Sequence, residues 1–242
     1  MFTAKGLIYY GIKATDGDIG SVDDFYFDDE KWTIRYIVVD TNNWLPGGKV
    51  LVSPISFDNI NKQQKQVEIF CTKGMIKNSP SMETHLPISR QKEKEYNNHF
   101  DWGAYWVGPE AWGGYAYPLA LRDEETKEEM KDVKDKKDAH LRSIKEVTGY
   151  NIEAKDGGIG HLVDFALDDK TWTIKFLIVD IGNWLPGKHV IISPKYISQI
   201  KWKDRTVHVD LSKEVIKNCP EYNPPYDKDS SPYPGPYFMY WD

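Results

Sequence analysis

Apolar and polar positions alternate in short runs along most of this chain, and each run stops at a turn-forming cluster. Ile19–Phe27 reads as a strand opened by Asp16-Gly17, because glycine enters the φ > 0 region of a tight turn without steric cost. Asp28, Asp29, Glu30 and Lys31 form a polar turn. Trp32–Val39, rich in β-branched and aromatic residues, reads as the returning strand. Strand side chains alternate, so Trp32, Ile34, Tyr36 and Val38 share one face, while Ile37 and Val39 make the other face apolar too. A strand apolar on both faces belongs in the middle of a closed or covered sheet. Asn43-Trp44-Leu45-Pro46-Gly47 breaks the pairing. Val50–Val52, Ile55–Ile60 and Val67–Phe70 supply further short strands, and Thr72–Asn78 a helical turn before Pro80.

The same pattern then recurs. Residues 12–82 align with residues 152–222 at a constant offset of 140, without a gap, and 30 of the 71 pairs are identical. A period this long marks a duplicated domain rather than a solenoid. Shared positions include Asp16/Asp156, Gly20/Gly160, Asp24/Asp164, Trp32/Trp172, Asp40/Asp180 and Trp44/Trp184. A small unit of five or six short strands hides its edges most readily by closing into a barrel. The expected fold is therefore all-β: two tandem small β-barrels with irregular aromatic-rich tails and a short charged linker or helix between them. The expected limits are 1–98 for the first barrel, 99–121 for an aromatic and glycine-rich segment, and 122–140 for the charged linker. The second barrel takes 141–222, and a Pro/Tyr-rich tail takes 223–242.

Aromatic residues make up 14% of the 242 residues, with 9 Trp and 15 Tyr, and many lie outside the repeat. Trp102, Trp106 and Trp112 fall in the first extra segment; Tyr237 and Trp241 fall in the tail. Such segments either cap their own domain or form an adhesive surface, since Tyr and Trp give large contact area with few rotors. Trp44 and Trp184 sit in equivalent loops, where they either plug a barrel end or stand exposed as anchors for a partner. These seven residues are the candidate interaction surface.

Catalytic chemistry finds little support. No C-x-x-C or H-x-x-x-H occurs, and His161, His189 and His208 have no counterpart in the first copy, so no metal or cofactor site is expected. Asp28-Asp29 and Asp168-Asp169 read as turn residues. Asp24/Asp164 and Asp40/Asp180 read as capping or ion-pair residues, with Arg35/Lys175 as partners, in the absence of a repeated nucleophile or histidine. Nucleotide-binding and nucleophile-elbow motifs are absent. A formal charge of −6 argues against direct nucleic-acid binding. No run reaches the ~20 apolar residues of a membrane span. Cys71 and Cys219 read as free thiols of a cytoplasmic protein.

The order A-x-D-G-x-I-G-x-[VL]-x-D-F-x-x-D-D, then W-T-I-[RK], then V-D-x-x-N-W-L-P-G, then S-P, occurs twice and resembles the PRC-barrel family. That family includes the cytoplasmic barrel of the photosynthetic reaction centre H subunit, and the chain is also similar to the second domain of a ribosome maturation factor. The closest likeness is to a stand-alone soluble tandem PRC-barrel protein. The resemblance implies a non-enzymatic adaptor or scaffold that binds protein partners, with a homo-oligomer as one form. The alternatives are a ribosome- or RNA-associated maturation factor, and a ligand-binding protein or enzyme with a site between the barrels.

Overall fold

A computed structural model describes residues 1–41, 45, 48–80, 88–122, 141–182 and 187–222. In chain order the strands are β1 (Phe2–Thr3), β2 (Gly11–Ala14), β3 (Gly17–Asp28), β4 (Thr33–Asp40), β5 (Lys49–Val52), β6 (Phe57–Asn61) and β7 (Gln66–Ile69). They continue as β8 (Leu141–Ser143), β9 (Asn151–Ala154), β10 (Gly157–Leu167), β11 (Ile174–Asp180), β12 (His189–Ile192), β13 (Ile197–Lys201) and β14 (Thr206–Val209). The helices are α1 (Ala4–Leu7), α2 (Lys73–Lys77), α3 (Arg90–Phe100), α4 (Ile144–Val147) and α5 (Lys213–Lys217). The protein is mostly β, in two seven-stranded sheets.

The chain divides into two compact units, and the division does not follow chain order. One unit holds Gly6–Lys145 with Lys170–Thr173; the other holds Met1–Lys5, Glu146–Asp169 and Ile174–Asp242. The first is built on copy one and the second on copy two.

In the first unit the strand order is β5-β4-β3-β2-β7-β6, antiparallel except for the β2–β7 pair. Among the described residues no ladder joins β5 to β6, so backbone pairing leaves the expected barrel open. β3 is long enough to use one edge twice: Gly17–Ser21 pairs with β2, and Tyr26–Asp28 pairs with β8. β4 is buried at seven of its eight positions, as its two apolar faces predict. Gly20 is where β3 passes closest to the end of β4. A Cβ there would lie 1.9 Å from the Asp40 carbonyl oxygen, so only glycine fits.

The second unit repeats this plan with β12-β11-β10-β9-β14-β13. Its additional strand is β1, which pairs with β10 in the register Phe2↔Leu167 and Thr3↔Ala166. The first unit has Arg142↔Phe27 and Ser143↔Tyr26, the same register displaced by 140. Each sheet is therefore completed by the segment that precedes the opposite copy. Gly160 repeats the close approach, with a Cβ 2.0 Å from the Asp180 carbonyl oxygen. Trp172 belongs to the first unit, where its ring meets Phe57 edge-on and its carbonyl accepts the Ile34 N–H.

Candidate interaction groove

In the first unit a covering segment packs against β4 and β5. Its main element is α3, capped by Ser89, whose hydroxyl accepts the Lys92 N–H. Glu93, Tyr96, Asn97 and Phe100 are buried at the i, i+3, i+4, i+7 spacing of one helical face. The Tyr96 hydroxyl donates to the Leu51 carbonyl at 2.8 Å, and its ring meets Tyr36 edge-on at 5.2 Å. Phe100 stacks on Trp102 at 4.6 Å, and Asn97 Nδ2 donates to the Gly103 carbonyl, which ties the segment after the helix back onto it. His99 Nε2 lies 3.1 Å from the Met75 carbonyl oxygen at the edge of α2.

Arg35 anchors the rest of the cover. Its guanidinium pairs with Asp28 at 2.9 Å, donates to the Ala111 carbonyl at 2.6 Å, and lies 3.8 Å from the centroid of the Tyr105 ring. The Arg35–Asp28 pair is buried, so each charge depends on the other for solvation. Burial alone raises the Asp28 carboxyl, but Arg35 and the N–H groups of Lys31 and Glu30 outweigh it and hold the group below its ordinary range. Glu93 goes the other way. Its burial pushes the carboxyl up to about 7, against the pull of Arg90 and the Tyr105 hydroxyl that donates to it.

Among the described residues, the equivalent wall of the second unit is open. Lys175, Phe176, Ile191, Lys195, Val215 and Cys219 line a cavity of ≈ 270 Å³. Four of these stand 140 positions after residues that meet the cover in the first unit: Lys175 after Arg35, Phe176 after Tyr36, Ile191 after Leu51 and Val215 after Met75. The accessibility records the difference: Arg35 and Tyr36 are each 1% exposed, while Lys175 is exposed and Phe176 half-exposed. Lys175 and Lys195 make this otherwise apolar groove positive.

Of the candidate aromatic residues, Trp102 and Trp112 are core residues of the first unit, 6% and 0% exposed, and present no docking surface. The Trp112 indole N–H donates to the Thr171 carbonyl, which fixes it further. Trp106 is half-buried, with the Arg90 guanidinium 4.7 Å from its ring centroid. Trp44, Trp184, Tyr237 and Trp241 lie outside the described residues. The repeated carboxylates also find their places. Arg35 pairs with Asp28, not with Asp24 or Asp40. Asp24 accepts backbone N–H groups from Phe25 and Lys145, and Asp164 those from Phe165 and Lys5. Asp16 and Asp156 accept the first N–H of α2 and of α5, each at 2.8 Å. Cys71 and Cys219 are free thiols. His161 and His189 both approach Asp180, at 3.9 and 3.8 Å.

The groove escaped the sequence reading because its walls are the same strands that form the covered face in copy one. A signal was available in the alignment, since Ile55, buried in copy one, is replaced by the charged Lys195 in copy two.

The family model of the PRC-barrel domain matches residues 12–76. The first copy is thus similar to a PRC-barrel domain. The match runs from β2 through most of α2, so it includes the covered wall of the first unit but not the α3 cover. β8, which completes the sheet of the first unit, also lies outside the match. No curated protein matches the chain. Among the described residues no helix is long and apolar enough to cross a membrane.

Proposed function

We propose that this protein is a non-catalytic scaffold of two tandem PRC-barrels, and that it binds protein partners through the groove of its second unit. The observation that carries this is one wall in two states. In copy one it is covered by an aromatic helical segment, and in copy two, among the described residues, it lines a cavity. An apolar concavity with a few polar groups is the usual form of a recognition site. An amphipathic helix laid into a groove is a common mode of peptide capture. The carboxylates that repeat between the copies support a non-catalytic role, because Asp16, Asp24, Asp156 and Asp164 each accept backbone N–H groups that hold the fold. The free thiols favour a cytoplasmic setting.

The test uses a labelled synthetic peptide of residues 88–106, the segment that supplies the cover in copy one, titrated into the full chain. Val215→Glu places a carboxylate in the groove at a position 39% exposed, where folding is not at stake. Saturable binding that weakens at least about tenfold in the variant, roughly 1.4 kcal/mol, is the expected result. Equal binding by both proteins would remove the groove as the docking surface.

A further inference from the structure

We propose that the partner of the second unit's groove is an amphipathic helix of the pattern acidic-x-x-Tyr-x-x-x-Phe, whose carboxylate meets Lys175 and whose tyrosine meets Phe176. This rests on reading the groove as a docking surface, and it names the chemistry of the occupant.

One observation is a cation without a counter-charge. In the first unit Arg35 pairs with the buried Asp28 at 2.9 Å, and the Tyr105 ring lies over its guanidinium. Lys175 and Asp168 stand 140 positions after Arg35 and Asp28, yet among the described residues no carboxylate pairs with Lys175. Lys175 is exposed and lines an otherwise apolar groove. Such a cation favours a partner with a complementary negative charge and sets its register.

The other observation is the register of α3 on the covered wall. Glu93, Tyr96 and Phe100 lie on its buried face, at i, i+3 and i+7. The Tyr96 ring meets Tyr36 edge-on, and its hydroxyl donates to the Leu51 carbonyl. The counterparts of Tyr36 and Leu51 are Phe176 and Ile191, and both line the groove. Glu93 stands one turn before Tyr96 and accepts a hydrogen bond from the Tyr105 hydroxyl, whose ring covers Arg35. A helix laid on the second unit in the same register brings its acidic residue towards Lys175 as its tyrosine reaches Phe176.

The test is a charge swap across the contact. The labelled 88–106 peptide, which carries Glu93, Tyr96 and Phe100 in this pattern, is titrated into the full chain and followed by fluorescence anisotropy. Glu93→Lys in the peptide and Lys175→Glu in the protein should each weaken binding at least about fivefold, because each turns an attraction into a repulsion. Combined, the two reversals should bring the affinity back to within about twofold of native. Tyr96→Ala with Phe100→Ala in the peptide should weaken binding at least about tenfold. Lys175 is exposed, so its replacement spares the fold, which circular dichroism checks. If Val215→Glu weakens binding while neither charge reversal does, the acidic pattern is overturned and the groove stands. Two losses with no recovery in the double reversal would also overturn the pairing with Lys175, and native affinity in the aromatic variant would overturn the helical pattern. No saturable binding of the native peptide, or equal binding by the Val215→Glu protein, would remove the groove and the pattern together.

Discussion

The backbone N–H of Lys145 donates to Oδ1 of Asp24 at 3.1 Å. The same bond joins Lys5 to Asp164 at the same distance, 140 positions displaced in donor and acceptor alike. In each case the carboxylate sits at a register shift in the long strand, and it also accepts the N–H of the next residue. The Ser143 hydroxyl adds a further bond to Asp24. These bonds clamp the short segments that complete the two sheets.

Asp24→Ala and Asp164→Ala should each cost about 2–3 kcal/mol, because backbone donors are left without the charged acceptor. The measurement is amide hydrogen exchange. Asp24→Ala should speed exchange at Lys145 while leaving Lys5 unchanged, and Asp164→Ala should do the converse. Equal loosening at both amides would show that the clamps do not act locally.

Gly20→Ala and Gly160→Ala should each destabilise by at least about 3 kcal/mol or prevent folding, since the new Cβ would collide with a strand carbonyl that cannot move alone. Gly114→Ala is the control, with nothing within 4 Å of the added carbon. Thermal unfolding should separate the pair from the control by many degrees.

The order of the strands was legible because both copies repeat the same alternation and the same turn residues. The helix α3 was not. Two of the four positions on its buried face are Glu93 and Asn97, so apolar periodicity alone does not mark it, although Ser89 and the spacing to Tyr96 and Phe100 do. The pairing of β1 and β8 was hidden for another reason. Two or three residues carry no pattern of their own, and their position is set by edges of β10 and β3 far away in sequence. Asp24 and Asp164 stood out as repeated carboxylates, but nothing local says that their donors are Lys145 and Lys5. The candidate surface suffered from the opposite error, since Trp102 and Trp112 are aromatic in an irregular segment and yet serve as core.

Trp112→Ala should accordingly act on stability, by about 3–5 kcal/mol, as for other buried tryptophans. Trp106→Ala, at a half-buried position, should cost well under half as much. Chemical denaturation measures both. The 88–106 peptide should bind the Trp112→Ala protein with native affinity under conditions where it remains folded.

Stability should fall as pH rises from 4.5 towards 7. Burial pushes Glu93 up to about 7 from an ordinary value of 4.5, so within that window the folded chain keeps a proton that the unfolded chain has released. At roughly 1.4 kcal/mol per pH unit, the loss is about 3 kcal/mol. Glu93→Gln should flatten the dependence measured by thermal unfolding between pH 5 and 8. Asp29, pushed up to about 6 by burial and by Asp28, should leave a smaller slope that ends near pH 6. A variant with the native slope would show that Glu93 is not the group responsible.

The pairing of Phe2 with Leu167 also fixes an order in time. Residues 2 and 3 are synthesised before their partners, which follow some 165 residues later. At translation rates of 5–20 residues per second, that is a wait of roughly 8 to 30 s. β3 waits as well, until Leu141–Ser143 have been made. The first sheet can therefore be finished only after its own copy has left the ribosome, whereas the second has β1 waiting and can be finished as its own copy emerges.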